Sequence, residues 1–105
     1  MKRMVIIWSA TALNQLDEIY EYIAQDSEKA AGNVINRILS STKRLSLFPD
    51  SGQEEETLKE LKRGYRYLVS RNYKIVYRSE GKVVIVAAVF DTRQDPERLK
   101  RIVPS

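Results

Sequence analysis

The stretch that most limits what this chain can fold into is Lys82–Phe90, KVVIVAAVF. After Lys82 it holds no polar residue, and most of its residues are β-branched or aromatic, the types that favour strands. A strand with one solvated face alternates apolar and polar residues, whereas one without alternation has to be shielded on both faces. The run therefore reads as the central strand of a sheet, and the rest of the chain must supply its neighbours and its cover. A length of 105 residues predicts one domain, 1–105, able to bury such a core with little margin.

The remaining segments divide by period. Residues 3–8, RMVIIW, read as a short buried strand, and Ser9 stands where a helix N-cap belongs. Leu13, Leu16, Ile19, Tyr20 and Ile23 share one helical face while Asp17, Glu18 and Glu21 lie largely outside it, which predicts a helix over roughly 10–25. After QDSEKA, a second stripe of Ala30, Ala31, Val34, Ile35, Ile38, Leu39 and Leu45 predicts a helix over roughly 28–47. So short a connection makes the pair an antiparallel αα-hairpin. FPDSG (Phe48–Gly52) stops the second helix, and QEEETLKELKRG reads as a short helix or ordered loop pinned by Leu58 and Leu61.

Tyr65–Ser70 and Tyr73–Arg78 then read as strands joined near Arg71 and Asn72, with Asn72 the residue suited to positive φ. Glu80 and Gly81 make the next turn. Beyond Phe90, Pro96 opens a last helical turn whose Leu99, Ile102 and Val103 dock back. The order is β-α-α-β-β-β. The predicted class is α+β, a two-layer antiparallel sheet with the N-terminal αα-hairpin packed on one face, and nothing in the chain is required over the other face.

Composition removes whole classes of chemistry. With no cysteine and no histidine, disulfides, thiolate or imidazole metal sites, and Ser-His-Asp or Cys-His nucleophiles are excluded. Acid–base work would fall to Asp, Glu, Lys or Tyr; no metal and no cofactor is expected. No apolar run reaches the ~18 residues of a spanning helix, and the one in MKRMVIIW is too short for a signal sequence, so the expected location is the cytoplasm, with no membrane partner. Residues 1–58 hold 6 Lys/Arg against 9 Asp/Glu, and residues 59–105 hold 12 against 5. A basic second half implies an anionic partner, a nucleic acid or an acidic protein segment.

Within the first hairpin, alternation places Tyr65, Tyr67 and Val69 opposite Arg66 and Leu68, and Tyr73, Ile75 and Tyr77 opposite Lys74, Val76 and Arg78. The aromatic and apolar sets are expected to rest on the helices. Arg66, Lys74 and Arg78 are expected to converge on the other face, with Arg93 arriving from the end of the central strand. Asp91 and Asp95 are expected to pair with Arg93 and Arg98 instead of acting as proton carriers. Trp8 reads as a core plug or rim.

Four segments together resemble the ParE/RelE superfamily of type II toxins: W-S-x-x-A-x-x-x-L-x-x-I-Y-x-Y-I at Trp8–Ile23, RLSLFPDSG at Arg44–Gly52, GYRYLVSRNYKIVYR at Gly64–Arg78 and VFDTRQDPERL at Val89–Leu99. The likeness is greatest to the ParE, or plasmid-stabilisation, branch. The resemblance implies the RelE/ParE-like fold, a cognate antitoxin of ParD-like or other class wrapping the helices and sheet, and DNA gyrase as target. It implies working roles for Arg66, Lys74, Arg78 and Arg93, and marks Asp91, where the branch often carries a histidine. The alternatives are a ribosome-dependent mRNA endonuclease of the RelE type and a non-toxic remnant that still binds an antitoxin. The late tyrosine of RelE-type sites has no counterpart, since no tyrosine follows Tyr77. Exposed apolar surface in such toxins implies a homodimer or a toxin–antitoxin heterotetramer.

Overall fold

The computed structural model describes residues 3–103; the last two residues of the basic C-terminal stretch lie outside them. In chain order the elements are β1 (Val5–Trp8), α1 (Ala10–Ala24), α2 (Glu28–Thr42), β2 (Gln53–Glu54), β3 (Arg66–Ser70), β4 (Tyr73–Glu80), β5 (Val83–Asp91) and α3 (Leu99–Ile102). Short 3-10 turns occupy Lys43–Ser46, Glu56–Leu61 and Pro96–Arg98. No helix among the described residues is long and apolar enough to cross a membrane.

The five strands form one sheet in the order β1-β5-β4-β3-β2. The α+β class and the helical hairpin on one sheet face stand as expected, but the sheet is mixed: β1 runs parallel to β5, and the other pairs are antiparallel. The direction of β1 follows from where α1 must begin. Ser9 N–H donates to Val86 O and the Ser9 hydroxyl donates to Ala87 O, so α1 starts beside the middle of β5 and packs along its second half. The same hydroxyl accepts from Ala12 N–H, the N-cap bond expected of it. As an edge strand β1 is not buried throughout: Val5 and Ile7 are 59% and 48% exposed while Ile6 and Trp8 pack on the core.

β5 lies between β1 and β4 and is covered on both faces. On the helix side Val84, Val86 and Val89 join Ala12, Leu16, Ile38, Leu45, Leu68, Ile75 and Tyr77. On the other side Ala87, Ala88 and Phe90 join Leu58, Tyr65, Val76, Leu99 and Val103. Along the second half of β5 that face is therefore not open, because α3 and the Glu56–Leu61 turn close it, whereas Val83 and Ile85 at the start of the strand are only partly buried. Strict alternation could not place both Val86 and Val89 on one face. A β-bulge does so: Tyr77 pairs with Val86 and Val76 with Ala88, which leaves Ala87 without a partner and reverses the facing of all that follows.

The helices differ from the expected stripes: Leu13 in α1, and Ala30 and Leu39 in α2, are exposed. In α1 the buried line is Ala12, Leu16 and Ile19, and Leu13 is 49% exposed. It falls outside because Ser9 aims α1 so that Ala12, not Leu13, meets the sheet. α2 ends at Thr42, before the expected boundary, because the Ser41 and Thr42 hydroxyls donate to the carbonyls of Ile38 and Leu39 and the chain tightens into a 3-10 turn. In the β3–β4 turn, Arg71 and not Asn72 takes the positive φ, 54°.

Candidate functional site

Register decides where the cations sit. Arg66 pairs with Tyr77, Tyr67 with Val76, Leu68 with Ile75 and Val69 with Lys74. Directly opposed residues of an antiparallel pair point to the same face. Arg66 therefore lies on the helix face with Leu68, Ile75 and Tyr77, whereas Lys74 and Arg78 lie on the opposite face with Tyr65 and Tyr67. The expected convergence does not occur. The tyrosines divide two and two, and those on the second face pack against the cluster closed by α3.

Each cation is also held within the chain. Lys74 Nζ donates to Glu55 Oε2 at 2.9 Å, and the Glu55 side chain is only 2% exposed. The Lys74 ammonium sits 4.2 Å from the centroid of the Tyr67 ring, a cation–π contact. Glu55 also accepts from Thr57 N–H, so this one carboxylate pins the start of the Glu56–Leu61 turn to β4. Arg66 Nη1 donates to Gly52 O at 2.9 Å, with Asp50 3.8 Å away. Arg78 Nη1 donates to Glu80 at 2.7 Å, and this carboxylate raises the guanidinium's pKa above its ordinary value.

Arg93 is the most open of the four, its side chain 67% exposed. Its Nε and Nη2 donate to Asp91 Oδ1 and Oδ2 at 3.0 and 2.7 Å, a bidentate pair, and its backbone N–H donates to Oδ1 at 2.9 Å. The guanidinium holds the Asp91 carboxyl below its ordinary value. The expected Asp91–Arg93 pair is thus present. Asp95 instead caps the Pro96–Arg98 turn through Glu97 N–H, and Arg98 donates to Gln94.

Replacing Arg93 with alanine should bring Asp91 up toward ~3.9, the ordinary aspartate value, in a carboxyl-carbon NMR titration. A carboxylate with a depressed folded-state pKa stabilises the fold above its unfolded pKa, and the contribution is lost as pH falls through the folded value. The variant should therefore lose a small acid-side dependence of stability and no more, since the pair is solvent-screened.

Arg93 borders a cleft of about 390 Å³ between α1 and the end of the sheet, with Gln15, Glu18, Tyr22, Tyr73 and Gln94 among its walls. The cleft exists because β1 stops opposite Val86. Past that point β5 has no strand on the edge that β1 occupied, and Gln15 Oε1 accepts from Val89 N–H at 2.7 Å there instead. Tyr22 is 73% exposed, and burial raises the Tyr73 hydroxyl above its ordinary pKa, with the Asp91 charge adding to the rise. Tyr22 and Glu55 escape a reading of the sequence in different ways. Tyr22 stands one residue before the stripe position Ile23, which marks it as a solvated aromatic. Nothing in Glu54-Glu55-Glu56 says which carboxylate is buried. Among the described residues no group of three or more acidic side chains is placed to hold a metal ion.

The fold and this arrangement define a class. Residues 6–96 match the family model of the ParE toxin of the type II toxin–antitoxin system, parDE. The chain belongs to this family. It is 34% identical over 101 residues to a protein named "Putative toxin Y4kP" from Sinorhizobium fredii (strain NBRC 101917 / NGR234), covering 94% of this chain and all of that one. A solved structure described as a chromosomal ParDE TA system from P. aeruginosa shares the fold at a TM-score of 0.71 and 22% identity, over 85% of this chain and 96% of that one.

Proposed function

We propose that this chain, as a single domain, is a toxin that acts in the cytoplasm by binding DNA gyrase and is neutralised by a cognate antitoxin. The observation that supports binding over turnover is the dispersal of the cations. Arg66 and Arg93 lie at opposite ends of the helix face, Lys74 and Arg78 lie on the other face, and each is already paired within the chain. A phosphodiester cleaved through its 2′-hydroxyl needs a base, an acid and cations around one phosphate. Here Glu55, Glu80 and Asp91, the carboxylates within hydrogen-bond distance of Lys74, Arg78 and Arg93, are each engaged in an ion pair.

In this reading Arg93, with Tyr22 and Tyr73 beside it, meets the target directly. Arg78 assists from the second face, while Arg66 and Lys74 act by holding the fold. Induced expression should arrest growth and raise the DNA-damage response, and co-expression of the antitoxin should relieve both. An Arg93→Ala variant should accumulate to the same level and lose most of the arrest. Arrest undiminished in that variant removes Arg93 from the site; transcript cleavage at ribosome-occupied codons without DNA damage replaces the gyrase reading with the endonuclease one.

A further inference from the structure

In charge, α2 stands apart from the rest of the chain's first half. Residues 1–58 are acidic overall, yet no Asp or Glu occurs between Glu28 and Asp50, while Lys29, Arg37, Lys43 and Arg44 all fall there. Lys29, Asn33, Asn36 and Ser40 recur at offsets of 4, 3 and 4 and so share one helical face. That face is opposite the buried line of Ala31, Ile38 and Thr42.

Beside it lies a groove of about 650 Å³, separate from the Arg93 cleft, lined by Asn33, Asn36, Arg37, Ser40, Ser41 and Ser70. Ser70 reaches it because it alternates with Arg66 and Leu68 on the helix face of β3. All six lining side chains can donate a hydrogen bond, one is cationic and none is anionic. Ser41 spends its hydrogen on Ile38 O, so the donors that remain are the two amides, the guanidinium and the hydroxyls of Ser40 and Ser70.

The residue after Ser70 adds a second cation next to the groove. Arg71 holds φ at 54°, a conformation that glycine or asparagine adopts at less cost. Strained positions of this kind persist where the side chain has a use. Among the described residues Lys29, Arg37 and Arg71 have no ion-pair partner, whereas Arg66, Lys74, Arg78 and Arg93 each have one.

We propose that this groove grips the phosphodiester backbone of duplex DNA, without reading its sequence. Amide, hydroxyl and guanidinium donors with no carboxylate among them are the set that holds phosphate oxygens. No aromatic side chain lines the groove, which disfavours a single strand, whose bases need stacking partners. No apolar side chain lines it either, so an acidic peptide would lack an anchor. The inference goes beyond the gyrase reading and is tested without gyrase, so either can fail alone.

Fluorescence anisotropy of the full chain with a labelled duplex of about 20 base pairs, over about 50–200 mM salt, tests it. With Lys29, Arg37 and Arg71 on three phosphates, log affinity should fall against log salt with a slope of about −2.7, alike for unrelated sequences. Arg37→Ala should weaken binding uniformly and make the slope shallower by about 0.9. Asn36→Asp, which sets a carboxylate in the groove, should weaken it about tenfold. Lys82→Ala, which removes an equal charge at the β4–β5 turn, should change neither affinity nor slope. All three positions are exposed, and the variants should melt with the parent. The proposal is overturned if the duplex does not bind at about 50 mM salt, or if Arg37→Ala and Lys82→Ala weaken it equally. Displacement of the duplex by polyglutamate, or by single-stranded RNA of the same length, at equal or lower concentration overturns it as well.

Discussion

Replacing Lys74 with alanine should destabilise the protein by about 3 kcal/mol, the lower end of the range for removing one partner of a buried ion pair. The Glu55 carboxylate left behind has a side chain only 2% exposed and keeps the Thr57 N–H as a partner among the described residues. The lower end applies because the Lys74 side chain retains 23% exposure and the pair is not wholly dry. In a domain of this size that loss lowers the melting temperature by roughly 12–24 °C, and toxicity should fall with the amount of folded protein.

The double variant Glu55→Gln/Lys74→Met separates structure from contact. It removes both charges, keeps an acceptor for Thr57 N–H and leaves a flexible side chain over Tyr67. It should melt closer to the parent than Lys74→Ala does, and growth arrest should return with it. A double variant that is stable and inert would instead make Lys74 a direct contact.

Gly52→Ala should be comparably damaging, for a steric reason. A Cβ at position 52 would lie 2.6 Å from the Tyr77 hydroxyl and 2.7 Å from Tyr67 O. Neither can yield freely. Tyr77 is fully buried, and its hydroxyl donates to Pro49 O at 2.7 Å while accepting from Gly52 N–H at 2.9 Å; Tyr67 O is strand backbone. Burial pushes this hydroxyl above its ordinary pKa, so it stays a neutral donor at physiological pH. Moving it breaks both bonds and loosens the Gly52 carbonyl that holds Arg66. Overpacking and the lost bonds together should cost about 2–4 kcal/mol, read as a lower thermal midpoint with loss of the folded baseline around Tyr77. An alanine variant melting within a degree or two of the parent would contradict the lock described by Tyr77, Gly52 and Arg66.

Much of this molecule is readable along the chain because its helices and strands obey their periods. The αα-hairpin, the Leu58 and Leu61 anchors, the C-terminal docking of Leu99 and Val103 and the apolar β5 all follow from spacing. What spacing within one strand cannot supply is register between strands. Alternation separates Arg66 from Tyr67 and Lys74 from Ile75, but only the turn says which set of one strand shares a face with which set of the next. A two-residue turn at Arg71 and Asn72 pairs Ser70 with Tyr73 and so puts Lys74 beside Val69. Joining the two tyrosine-bearing sets across that turn is a one-residue error, and it alone produces the false convergence of Arg66 with Lys74 and Arg78. The bulge at Ala87 is illegible for a different reason: VIVAAVF is apolar whichever way its residues face. The burial of Glu55 is set by a cation 19 residues away, which no local pattern records.

The reading of this ParE-family chain as a gyrase-binding toxin is tested most directly by titrating the purified protein into a DNA gyrase supercoiling reaction with relaxed plasmid. Binding without turnover predicts that supercoiling falls in proportion to added protein, and that the effect is reversed by antitoxin and much reduced in Arg93→Ala. Full supercoiling at a large molar excess of correctly folded protein, with mRNA cut when ribosomes are supplied, would contradict it.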